Sequence, residues 1–227
     1  RLPRPPVRAR PVSLPPSLRS AATPDPMDLL LLALLLSTGG YAVTSQQQRK
    51  RIALLGAHLG HYQIEKLLET LTQGYLRALG EQDAERRSQI WALLESTESQ
   101  LSDQFSRFAA EFARVDAPLA RVSRLPVGLP FALQLFPAAS FDMRQALAVH
   151  AQGIARVARN EAGRTPRDKA FMMTAELFLM QHTCHWFCKS RTVASARMAA
   201  RHQTPHAQLV ASVSPETRAA YTALVGD

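Results

Sequence analysis

The feature that most constrains this chain is an uncharged run from Leu29 to Gln48, which opens with the aliphatic stretch Leu29 to Leu36 and is followed at once by Arg49-Lys50-Arg51. Such a run has no amphipathic spacing. An apolar stretch with an aromatic near its boundary (Tyr41) and positive charge beyond it is the pattern of a bilayer span. Its wholly apolar part is shorter than the roughly 20 residues that cross a bilayer comfortably. Thr44, Ser45 and the glutamines extend it, with the glutamines at headgroup depth. The segment 27–45 therefore reads as a transmembrane anchor. A cleaved signal peptide, cut after Gly40-Tyr41-Ala42, is the second reading, because a centre of about 7 to 15 apolar residues before small residues fits that use. A buried core helix ranks third, since a helix greasy on one stripe only is the rule for soluble cores.

Residues 1–26 are rich in proline and arginine and carry no apolar periodicity, which predicts a disordered leader. Met27 stands immediately before the apolar run and is a plausible start, in which case the leader is not part of the native protein. The leader holds five of the 27 basic residues and one of the 18 acidic ones, so the remainder carries 22 minus 17, or +5. That modest, scattered charge shows no basic run interleaved with aromatics, and nucleic acid is not an expected partner. The bilayer is. Arg49-Lys50-Arg51 after the span places the bulk of the chain in the cytoplasm, on the inner membrane, by the positive-inside bias. Export after cleavage is the alternative.

Beyond the span the periodicity is helical almost throughout, and the expected fold class is all-α: a single transmembrane helix, a long antiparallel hairpin, and a helical bundle. Ile52, Leu55, Leu59, Tyr62, Ile64, Leu67, Leu68, Leu71, Tyr75 and Leu79 recur at spacings of three and four. Gly80 closes that arm. A second arm carries Ile90, Leu94, Leu101, Phe105, Phe108, Phe112 and Val115, so the hairpin is expected over 46–115 with two arms of roughly 30 residues each. A proline-rich apolar connector follows at 116–139, where Pro118, Pro126, Pro130 and Pro137 forbid helix. It is expected to pack along the bundle or touch the membrane surface. The segment 140–227 should pack on the hairpin, with Ser140 capping a helix, Thr165-Pro166-Arg167-Asp168 opening the longest helix as far as about His202, and Ser214-Pro215-Glu216 opening a last one.

Within that longest helix, Phe171 to Cys188 is apolar on every face but interrupted by Glu176, Gln181, His182 and His185, which marks a buried central helix rather than a second span. Gln181, Cys184, His185 and Cys188 share one narrow face. Cys184, His185 and Cys188 are candidate metal ligands, with zinc the fitting ion and His150, His182 or a neighbouring chain supplying a fourth ligand. Ordinary core packing of two small buried thiols is the simpler reading, and no cofactor is the expectation. A disulfide between them is disfavoured on a regular helix, where Cβ atoms one turn apart stand about 5 to 6 Å apart against the roughly 3.5 to 4.5 Å a bridge needs. His58 and His61 are adequately explained as a polar helix face. No nucleophile elbow, phosphate-cradling loop, zincin or di-iron motif is present, so an enzyme ranks below a binding protein. The expected function is a membrane-anchored interaction or scaffolding module that recognises partners or a second copy through helix faces. Leu94, Leu101, Phe105, Phe108 and Phe112 are the candidate interaction face, used between copies or within the hairpin. A membrane-tethered metal or thiol-redox sensor at Cys184, His185 and Cys188 is the alternative.

Overall fold

The computed structural model describes residues 25–226, and the leader expected over 1–26 lies almost wholly outside them. The fold is mostly helical, and the helices carry the sequence's own start and stop signals. Helix α1 runs from Pro26 to Leu59 and includes the whole uncharged run. Asp83 caps α3 (Ala84–Phe112) by accepting from the amides of Glu85 and Arg86. Thr165 caps α7 (Pro166–Cys188) and Ser214 caps α10 (Pro215–Val225), each with proline at the first turn.

The described residues divide into two compact units, one ending at Gly39 and the other beginning at Gly40. In the first, the described leucines of α1 are outward-facing, from 50% exposed at Leu29 to 68% at Leu36.

The second unit holds the core. Helix α2 (Ile64–Gly80) packs antiparallel on α3, so that Gln63 reaches Gln104 and Tyr75 reaches Glu98. Its arm is much shorter than the expected 30 residues. The periodic pattern runs straight through Gly56 and Gly60, but the helix stops at Leu59 and restarts at Ile64, where the Gln63 amide donates to the Gln104 side chain at 2.7 Å and Tyr62 Oη donates to Glu111 at 2.9 Å. Two glycines weaken the helix there by about 1 kcal/mol each, and these bonds reward the turn.

The connector carries structure of its own and is bonded to the bundle, Trp186 donating to the Ser123 carbonyl and the Thr192 amide to the Pro126 carbonyl. A two-stranded antiparallel ribbon pairs β1 (Arg121–Ser123) with β2 (Ser140–Asp142), Val122 opposite Phe141, and ties the two ends of the 124–139 loop together. Ser140 is thus a strand residue. Asp142 caps α6 (Met143–Ala158) instead. Two one-turn helices, α4 (Ala117–Ala120) and α5 (Ala132–Leu135), flank the loop's course. The predicted long helix to His202 also breaks: α7 ends at Cys188, and Ser190 caps α8 (Arg191–His202), which folds back along α7. A short α9 (His206–Ser212) follows before α10. Helix α7 is central, with α6, α8 and α9 packed on it, and α10 packs antiparallel on α6.

Candidate functional site

The five residues of the expected interaction face lie inside the chain's own core. Leu101, Phe105, Phe108 and Phe112 are fully buried and Leu94 is 6% exposed. Phe105, Phe108 and Phe112 form an aromatic series along α3 that continues to Phe187 of α7, with centroids 5.6 to 6.0 Å apart. Side chains so placed hold α2, α6 and α7 together, each burial worth about 2 to 3 kcal/mol, and they are not available to a partner without opening the bundle.

The Cys184, His185 and Cys188 face is half-buried between α7 and α8. Cys184 Sγ approaches Met180 Sδ at 3.9 Å, and His185 Nδ1 lies 3.3 Å from an Arg197 guanidinium nitrogen. Both thiols are free. Burial pushes both thiols up, Cys184 with a further push from Cys188, whereas Arg197, Arg51 and Lys189 partly offset the rise at Cys188. Burial and the neighbouring arginines depress His185. Of the expected fourth ligands, His150 Nε2 is 2.9 Å from the Thr183 hydroxyl and His182 Nε2 is 3.1 Å from Ser195 with its ring stacked on His206 at 4.1 Å, while the Nδ1 of each is buried without a hydrogen-bond partner. Among the described residues, no three His, Cys, Asp or Glu side chains are grouped to hold a metal ion.

A buried polar seam, missed in the sequence, runs through α6, α7 and α10. Glu176 is fully buried; its Oε1 accepts from the Ser214 amide at 3.1 Å and hydroxyl at 2.8 Å. Its carboxyl is raised by burial, partly offset by those donors, Thr217 and Arg156. His150 and His182 are depressed to about 3 and about 2, burial being the main cause in each case. The signal in the sequence is Gly153, the small residue in α6 that leaves room for the Glu176 carboxylate and the Thr217 hydroxyl.

A large concavity that combines basic and apolar side chains lies between the 44–54 stretch of α1 and the connector loop. Its volume is about 690 Å3. Leu119, Val122, Leu125, Leu129 and Leu133 supply apolar wall, Trp186 closes the floor, and Lys50, Arg51 and Lys189 contribute the charge. Gly128 lets the loop approach α1 closely, since a Cβ there would stand 3.3 Å from Gln48 Nε2 and 3.5 Å from Thr44 Cγ2. Trp186 Nε1 donates to Ser123 at 2.9 Å and its ring meets Phe141 edge-on at 5.0 Å, so the ribbon fixes this wall. Around the cleft Val127, Phe131, Leu135 and Phe136 remain about half exposed. The chain matches no protein-family model, no curated protein and no solved structure.

Proposed function

We propose that this chain is a single-pass, membrane-anchored all-α interaction or scaffolding module, with its bundle on the cytoplasmic face of an inner membrane. The observation that carries the reading is α1: it is long and apolar enough to cross a bilayer, and none of its most apolar window is buried in the protein. A core helix would be covered by its neighbours, which leaves anchor and cleaved signal sequence as the uses of such a segment. Helix α1 continues beyond Gly40 into the packed unit. Arg51 donates to the carbonyls of Phe187 and Arg121, and Gln48 accepts from Lys189, so the stretch directly after the run is integral to the bundle. Cutting after Ala42 would remove the run and leave that stretch in place.

Partner recognition in this reading uses surface other than Leu94, Leu101, Phe105, Phe108 and Phe112. The connector's exposed apolar side chains are the natural contact set. The second reading, a zinc or thiol-redox sensor at Cys184, His185 and Cys188, has in its favour two free cysteines one turn apart on a central helix. Their burial weighs against it, because a raised thiol offers little thiolate to a metal or an oxidant.

Cell fractionation with carbonate extraction, N-terminal sequencing and protease access to a C-terminal tag tests the anchor. An intact, carbonate-resistant chain whose tag is protected in intact cells is expected. Recovery of a soluble chain beginning at Val43 would sink it.

A further inference from the structure

The cleft beside α1 combines features that neither anchoring nor partner recognition requires. Three of its lining residues are cationic, Lys50, Arg51 and Lys189, and no Asp or Glu lines it. None of the three forms an ion pair with a carboxylate among the described residues. Arg51 is the sharpest case: its guanidinium donates to two backbone carbonyls, Phe187 O at 3.4 Å and Arg121 O at 3.2 Å, and rests over the Phe187 ring at 5.7 Å. A largely buried cation held by neutral acceptors alone is a standing site for an anion. Lys189 has a neutral partner too, Gln48 Oε1 at 2.9 Å.

Most of the remaining lining is apolar, with neutral polar side chains such as Thr44, Gln48 and Ser190 between, and the volume falls within the roughly 300 to 1,000 Å3 of sites for small molecules. An anion site continuous with an apolar wall fits an amphiphile. Position identifies its source. The loop wall touches α1 at Gly40, where a Cβ would stand 3.6 Å from Pro130, and at Thr44 and Gln48, which are the last turns of the uncharged run. The cations at 50 and 51 come within a turn of Gln48. On a span anchored as proposed above, that order places apolar wall at the depth of acyl chains and positive charge at the depth of phosphates.

We propose that the cleft between α1 and the connector holds one anionic phospholipid from the anchoring bilayer, its acyl chain along Leu125, Leu129 and Leu133 and its phosphate at Lys50, Arg51 and Lys189. The site rests on the membrane-anchored reading and extends it: the connector is a lipid clamp that selects headgroup charge. Bulk acidic lipid around any basic patch would be held loosely. A lipid seated here is held by a wall on each side.

Trp186 forms the floor of the cleft and is 1% exposed, so it reports on the occupant. With Trp91→Phe removing the other tryptophan, the full chain is reconstituted into phosphatidylcholine nanodiscs doped with brominated-chain phosphatidylglycerol or brominated-chain phosphatidylcholine. Half-maximal quenching of Trp186 should need about fivefold less of the glycerol lipid, and Lys50→Glu, at an exposed residue, should remove about that whole advantage. Leu129→Glu should weaken quenching by either lipid. Equal quenching by both lipids, no quenching by either, or a headgroup preference that survives Lys50→Glu would overturn the site. Native mass spectrometry of the same sample should give a mass increment of one phospholipid; a dimer without that increment assigns the cleft to a second copy and overturns it as well. A chain that never incorporates into discs defeats the anchor itself, whereas incorporation without selectivity defeats the lipid site alone.

Discussion

Lys169 Nζ of α7 lies 2.5 Å from Glu98 Oε2 of α3, with only 10% and 4% of the two side chains exposed. Tyr75 of α2 completes the contact by donating to Glu98 Oε1 at 2.6 Å. Burial and the neighbouring carboxylate push the Tyr75 phenol up, so it remains a donor throughout the usual pH range. Three helices are thereby registered by one carboxylate. Removing one charge from a buried pair leaves the other unpaired and costs about 3 to 5 kcal/mol, whereas replacing both by apolar groups is often close to neutral. Lys169→Met should therefore lower stability by about 3 kcal/mol or more, and Glu98→Gln added to it, which removes the stranded charge but keeps an acceptor for Tyr75, should restore much of the loss. Denaturant melts of the chain in detergent, followed by tryptophan fluorescence, measure both; equal losses in single and double variants would contradict the argument.

The buried histidines set the acid side of the stability profile. Folded His150 and His182 are depressed to about 3 and about 2, against about 6.5 in the unfolded chain. Below pH 6.5 the unfolded state binds protons that the folded state refuses, so stability falls as pH falls, by about 1.4 kcal/mol per pH unit for each histidine down to its folded value. Glu176 acts in the opposite sense, since a raised carboxyl takes up its proton more readily when folded. The expected outcome is a steep loss of stability from pH 6 to pH 4.5, made shallower by His150→Gln, which keeps a hydrogen-bonding side chain toward Thr183. Melts at a series of pH values check it, and a slope unchanged by that substitution would refute the assignment.

What the sequence made legible was what repeats or caps. The apolar run, the caps at Thr165 and Ser214, and the α3 stripe of Leu94, Leu101, Phe105 and Phe108 all lie where pattern and local chemistry agree. The breaks at Gly60 and Lys189 were hidden because helical periodicity continues across them, and only tertiary bonds decide against it. Gln104 meets the Gln63 amide from forty-one positions away, and Lys189 reaches Gln48 across the fold. Ser190 is a cap of a readable residue type, but no glycine or proline stands near it to mark the break. The two uses offered for the stripe of leucine and phenylalanine, within the hairpin or between copies, look the same in sequence, and the structure places Leu94, Leu101, Phe105, Phe108 and Phe112 in the chain's own core. The cleft was illegible because it unites residues 50, 129 and 189, which only the β1–β2 ribbon and the α7–α8 turn bring together.

Thiol reactivity separates the two functional readings at Cys184 and Cys188. With both thiols raised by burial, alkylation of the folded chain by iodoacetamide at pH 7.5 should run at least about tenfold slower than for an exposed cysteine. Cys184→Ser should cost about 1 to 3 kcal/mol by placing a hydroxyl against the Met180 thioether. Rapid alkylation, or stoichiometric zinc retained by the purified chain and lost in the double serine variant, would move the sensor ahead of the scaffold.

Gly153 gives the most selective test of the polar seam. Alanine is the better helix former by about 1 kcal/mol, and at an open helical glycine such as Gly56, where an added Cβ meets nothing within 4 Å, the exchange should stabilise by about that amount. At Gly153 the same methyl would collide with the Thr217 hydroxyl and stand 2.5 Å from Glu176 Oε2. Neither neighbour is free to move, because Thr217 receives Arg156 Nη2 at 3.2 Å and the Glu176 carboxylate is held by Ser214 through both amide and hydroxyl. Gly153→Ala should therefore destabilise by about 1 to 3 kcal/mol through overpacking, the opposite sign to Gly56→Ala. Adding Thr217→Ser, which removes a methyl but keeps the hydroxyl, should recover little, whereas Glu176→Ala, which clears the carboxylate but leaves the Thr217 hydroxyl, should reduce the cost of Gly153→Ala without abolishing it. Melting curves of the four variants decide the matter, and a stabilising Gly153→Ala would mean that the seam is loosely packed and that α10 does not lock α6 to α7 through it.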